Sequence, residues 1–195
     1  MKGERTMKRM VSRSVALLAL VALAGCASMQ AGGDAPAAQP QVKLERVEVA
    51  SYFPYAPPPA RVPLVLAFVY AVTNPGNETV TLEELRFAYA FEAKPGQYFV
   101  LNSPATYDIM HIPPKATNIV RVVSVLDSAI VPATLAVTQG FRMQELGVKA
   151  PDLVKTWWEQ IGDFAYGIRV TEGVASFTTP KGSKLVAFQD SFPKK

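Results

Sequence analysis

From residue 42 onward the chain is written in short apolar runs that alternate with polar positions. Turn residues break these runs at intervals of about ten, the pattern of an all-β antiparallel sandwich. The first run, VKLERVEVASYF (42–53), sets Val42 and Leu44 on one phase and Val47 and Val49 on the other. That phase slip predicts a bulge near Glu45-Arg46 in an edge or first strand. Prolines between 54 and 63 end the strand, because a proline brings no donor to a ladder. This stretch reads either as a polyproline II ligand for an aromatic groove or as a stiff crossover loop packed by its own rings. LVLAFVYAVT (64–73) is apolar on both phases, which suits a central strand covered on both faces. Asn74-Pro75-Gly76-Asn77 turns the chain, and Phe87, Tyr89 and Phe91 alternate with Ala88 and Ala90 on the way back. Lys94-Pro95-Gly96 leads into a short strand at 98–101, and NIVRVVSVL (118–126) alternates after an Ile112-Pro113 loop. AYGIRV, VASF and KLVAF are the closing strands, with turns expected at Glu172-Gly173 and Pro180-Lys181-Gly182.

One stretch has helical period instead. PDLVKTWWEQI (151–161) carries a proline at a suitable first helical position and a stripe of Leu153, Val154, Trp157, Trp158 and Ile161. Either the helix caps the open end of the sandwich and buries both indoles, or Trp157 and Trp158 form a partner surface, with Trp158 partly exposed to a protein or a lipid interface.

Several of these landmarks fall in a familiar order: Val42-x-Leu44, a strand ending Asn74-Pro75, Leu82-x-x-Leu85-x-Phe87, the Ile112-Pro113 loop before a valine-rich strand, and Phe177-Thr178-Thr179-Pro180-x-Gly182. The order resembles the LEA type 2 family, also called the water-stress and hypersensitive-response (WHy) domain. The resemblance covers most of residues 42–190. Gly76 stands where the family usually has Asn, and residues 140–163 read as an insertion. The resemblance implies an immunoglobulin- or fibronectin-like antiparallel β-sandwich, here with one inserted helix, and no established catalytic residues. The family's name suggests a protective role in stress.

Upstream of the sandwich the pattern changes. Lys2, Arg5, Lys8, Arg9 and Arg13 precede an apolar run at 15–23 that is too short to span a bilayer stably. Leu23, Ala24 and Gly25 then lead to Cys26, the only cysteine. The alternatives are a plain transmembrane anchor or a buried core cysteine, but this stretch resembles the lipobox of bacterial lipoproteins. In that family the cysteine thiol takes a diacylglycerol, the peptide is cut before it, and the new amine is usually acylated too. The resemblance makes residues 1–25 a signal peptide, whether translation starts at Met1 or Met7, and Cys26 the lipid anchor. Several acyl chains hold a protein stably where one gives only marginal binding, at about 0.8 kcal/mol per buried methylene. Residues 26–41 read as a flexible tether after the lipidated cysteine, about 20 Å end to end, and 42–192 as the sandwich. Ala27 and Ser28 follow the anchor and no Asp does, which resembles the default signal for the periplasmic face of the outer membrane.

The signal also changes the charge. Without residues 1–25 the 20 basic and 16 acidic residues fall to fifteen of each over 170 residues, so the excess of +4 belongs to the signal. A balanced chain lacks the electrostatic footprint of nucleic-acid binding. A domain of this size buries roughly 68–70% of its unfolded surface and forms a core without disulfides.

Candidate chemistry is sparse. His111 is the single histidine, and with Asp108 it makes a base and an orienting carboxylate in principle, without a nucleophile placed near them. A loop histidine without chemistry is the plainer reading. No phosphate-cradling glycine loop, nucleophile elbow or metal-ligand spacing occurs, so no cofactor or metal is expected. What remains is a non-enzymatic structural or interaction module that holds an unknown envelope protein. The alternative is a periplasmic carrier that keeps a lipid or other apolar ligand among the rings of Tyr52, Phe53, Phe68, Tyr70, Phe87, Tyr89 and Phe91.

Overall fold

The computed structural model describes residues 39–194; the lipobox Leu23, Ala24, Gly25 and Cys26 and nearly all of the tether lie outside the described residues. The doubly apolar run becomes β2 (Pro63–Thr73), central in a sheet of order β1-β2-β7 between β1 (Gln41–Tyr52) and β7 (Thr117–Asp127). In the second sheet β3 (Val80–Lys94) pairs on one side with β8 (Ile168–Thr179), which in turn pairs with β9 (Gly182–Phe192). Along the other side of β3 lie β4 (Gln97–Asn102), β5 (Ala105–Thr106) and β6 (Met110–Ile112). Every pairing is antiparallel, and the two sheets form the expected sandwich.

The period-two alternation works as written. Phe87 and Tyr89 on β3 meet Phe68 and Tyr70 on β2, with ring centroids 4.7–5.1 Å apart between the sheets, and Phe91 continues the row beside Tyr89 at 5.9 Å. These rings, together with Leu44, Leu64, Leu66, Phe99 and Phe177, are buried in one contiguous core. The phase slip in β1 is a register shift between Leu44 and Arg46, and a second shift falls between Val49 and Ser51.

Two expectations differ from the structure. Glu172-Gly173 is no turn: β8 runs unbroken from Ile168 to Thr179, and the pair forms a bulge in it, with Glu172 at φ 52° and a register shift against β9. Gly173 is required there, because a Cβ would lie 2.5 Å from the Phe188 ring. The helical region also begins before the expected insertion and holds more than one helix. Before α2 (Ala150–Gln160), the predicted one, comes α1 (Ile130–Leu146), which the sequence pattern does not announce. Pro132, Gly140 and three threonines or valines at exposed sites hide its period, and Gln139 at φ −138° kinks it.

α2 closes one end of the sandwich. Trp157 donates its indole N–H to the Glu92 carbonyl at 2.8 Å, at the end of β3, and Trp158 donates to the Val62 carbonyl at 3.1 Å, at the foot of β2. Each indole therefore ties the helix to a different sheet.

Candidate interaction surface

Both tryptophans are buried, at 1% and 0% exposure, and both indole N–H groups are satisfied. The reading of Trp157 and Trp158 as a partner surface is thus corrected: a stripe this broad faces the core with all of its large side chains. His111 sits in β6, not in a loop, with Nδ1 2.9 Å from Thr81 Oγ1. Asp108 accepts from Thr106 Oγ1 at 3.0 Å, so the two candidate partners turn to different threonines. Among the described residues no cluster of His, Cys, Asp or Glu could hold a metal ion, and no helix is long and apolar enough to cross a membrane.

The exposed apolar side chains gather elsewhere. On β7 the inward row is Val120, Val122, Ser124 and Leu126, all buried. The outward row holds Ile119, Val123 and Val125, exposed at 54%, 48% and 58%. On α1, Val137 and Phe141, one helical turn apart, are each 87% exposed. β7 and α1 belong to one flank of the sandwich. Asn102 on β4 donates to Ser124 Oγ on β7 at 2.9 Å, and α1 lies against β4 through Gln139, whose side chain accepts from the Val100 N–H and donates to the Val100 carbonyl. The kink at Gln139 sets that carboxamide against β4, where it stands in for the next strand of the ladder.

The edges of the sheets are treated unequally. On β1 the edge-pointing groups of Leu44 are both taken: its N–H donates to Asp190 Oδ2 at 3.0 Å, and its carbonyl accepts from Lys194 Nζ at 2.6 Å. Bulges and charges at Lys43, Glu45, Arg46 and Glu48 further blunt that edge. β4 is covered by Gln139. β7 runs 11 residues opposite β2 without a register shift, and no other strand among the described residues pairs with it.

Which groups β7 leaves open follows from its ladder. In an antiparallel pair, successive residues turn their N–H and C=O alternately to the two sides. Just beyond the two ends of the β2–β7 register, Ser128 N–H donates to the Val62 carbonyl and Asn74 N–H to the Ala116 carbonyl. Even-numbered residues of β7 therefore face β2, and Ile119, Arg121, Val123 and Val125 point both backbone groups at the free edge. The same four residues form the outward row of side chains.

One charge in that row is neutralised within the chain. Glu48 on β1 reaches across β2 to Arg121 at 3.2 Å while also holding Arg46 at 2.7 Å. This clasp explains why Ala67 and Val69, which lie on the outer face of β2, are nonetheless buried. Hydrogen bonds from Arg46 and then Arg121 hold the Glu48 carboxyl below its ordinary value. Beneath the sheet, Tyr89 Oη and Ser124 Oγ are 2.9 Å apart in the core, and burial pushes the Tyr89 hydroxyl far above its ordinary value. Sequence reasoning missed Ser124, a polar residue in an otherwise apolar inward row, though that break in the alternation was its signal.

No family model and no curated protein matches the chain. Among solved structures it is similar to an X-ray structure of a Northeast Structural Genomics Consortium target, with 11% identity, 80% of this chain and 86% of that one covered, and a TM-score of 0.41. A crystal structure of a protein from Archaeoglobus fulgidus is similar at 11% identity over 78% and 98% of the two chains, with a TM-score of 0.38. The solution structure of a protein described provisionally as late embryogenesis abundant (LEA) is similar at 12% identity over 98% and 88%, with a TM-score of 0.39.

Proposed function

We propose that this chain is a non-enzymatic, lipid-anchored protein of the bacterial envelope, held through Cys26 at the periplasmic face of the outer membrane, whose sandwich is an interaction module. The observation that carries the module is the open edge of β7 with its exposed apolar row, beside sheet edges that are capped at Leu44 and Val100. A long, flat, unprotected edge is the surface to which another strand adds. The anchor rests on the lipobox resemblance, and a protective role in stress on the resemblance to LEA type 2 sequences. The carrier reading is disfavoured because rings from both sheets already touch through the middle of the sandwich, and an apolar ligand would have to part them.

The module is tested in cells that make the full chain, with a photoactivatable amino acid placed at Val125, at Val137 or, as a control on another strand, at exposed Leu185. Discrete adducts are expected from Val125 and Val137 and none from Leu185. Equal labelling at all three positions, or none at any, sinks the reading. Cys26→Ser is expected to leave the membrane fraction, and retention there would overturn the anchor.

A further inference from the structure

An interaction module with an open β7 edge needs an occupant for that edge. We infer that the occupant is a second copy of this chain, paired β7 to β7 in antiparallel fashion about Val122, so that the two three-stranded sheets join into one. The dimer rests on the proposed reading of the flank as a docking surface.

The strand is self-complementary in this register. Two identical strands related by a two-fold axis pair residue i with j and j with i. Centred on Val122, every residue that points its backbone to the free edge meets another that does the same. Thr117 faces Asp127 of the other copy, Ile119 faces Val125, and Arg121 faces Val123. Shifted toward the amino end, Arg121 would stand opposite Arg121, which like charges across a ladder disfavour. Shifted toward the carboxyl end, Ile119 would stand opposite Asp127 and Thr117 would lose its partner. Only the Val122-centred pairing uses all the edge groups between Thr117 and Asp127 without facing like charges.

Charge also favours a second copy over an unrelated partner. Arg121 is engaged by Glu48 and Asp127 by Arg61 at 2.7 Å, each within its own chain. The outward row therefore presents three apolar side chains and a single charge that is already paired within its own chain. The assembly is closed as well. The joined sheet has β1 at both ends, and the Leu44 groups there are already taken by Asp190 and Lys194, so pairing stops at a dimer and does not run on into a fibre.

The test is disulfide formation in membranes that carry the full-length chain. The double variant Ile119→Cys/Val125→Cys is expected to give a dimer band without reductant, whereas each single variant is not. In the pairing, the two copies of residue 119 lie about 20 Å apart, six residues along a strand. The parent, with Cys26 as its only thiol, controls for cross-links through that residue. Val123→Pro removes an edge-pointing N–H and leaves the β2 ladder whole, so it is expected to abolish the dimer in chemical cross-linking with a melting temperature near the parent's. Val123→Lys is expected to do the same without a proline, should the first variant unfold. Single variants that cross-link as well as the double one, or a dimer that survives both substitutions at Val123, would overturn the inference. If the double variant stays monomeric while the photo-adduct at Val125 has the mass of another protein, the flank is a docking surface but its occupant is not a second copy. If neither experiment yields an adduct, both readings fall.

Discussion

Asn74 is the residue on which most of one end of the sandwich depends. Its side chain is fully buried, donates to the carbonyls of Glu78, Ile112 and Pro113, and accepts from the Gly76 N–H at 2.9 Å. A shorter side chain would strand these groups at once, since a buried polar group without a partner costs about 1–3 kcal/mol. Asn74→Ala is therefore expected to destabilise the fold by about 3 kcal/mol in urea unfolding with an unchanged slope. Glu48 behaves differently because it titrates. Its folded value lies below the ordinary 4.5, so its contribution is present at neutral pH and is lost as the pH falls below 4.5 and through the depressed value. The melting temperature of Glu48→Gln should lie below the parent's at neutral pH, and the gap should close as acid protonates the parent's carboxylate. A gap that widened in acid would mean that the clasp over Ala67 and Val69 is not held by the carboxylate.

At the level of elements, Gln139 gives the clearest expectation. Its carboxamide makes both bonds to Val100 at the edge of β4, so Gln139→Ala should speed exchange of the Val100 amide markedly while lowering global stability by only about 1 kcal/mol. Hydrogen exchange read residue by residue distinguishes that local opening from a global one. The strands were legible because each buries one face, and burial of one face writes alternation into the chain. β2 was legible as central for the same reason, being apolar on both phases. α1 was not, since its period is broken at Gln139 and only Val131, Leu135 and Met143 are buried along it. Glu172-Gly173 misled because a residue at positive φ followed by glycine serves a bulge as readily as a turn, and the ring of Phe188 that decides between them lies on another strand. The candidate surface was harder still to read. NIVRVVSVL tells which residues of β7 face inward, but which edge of the strand is open depends on pairings with β2 some fifty residues away.

For the molecule as a whole, α2 is the closure. Trp158 is fully buried and bonded to Val62, and Trp157 packs on Phe91 with ring centroids 5.6 Å apart. Trp158→Ala is expected to cost about 3–5 kcal/mol in chemical denaturation, the loss typical of a large aromatic removed from a core. A cost below about 1 kcal/mol would show that the helix is an ornament on the sandwich. The bonds between Leu44 and the carboxyl-terminal residues Asp190 and Lys194 have a different consequence. They bring the carboxyl end of the last strand to Leu44 on the first, whereas Gln39, where the described chain enters, donates to the Leu185 carbonyl near the start of that last strand. β7 is the opposite edge of the sheet from β1, two strand spacings away or about 10 Å. A fluorescent or affinity label fused to the carboxyl end would hang from the β1 edge and leave β7 uncovered, whereas a label inserted in the Asp127 to Ile130 connection would block it.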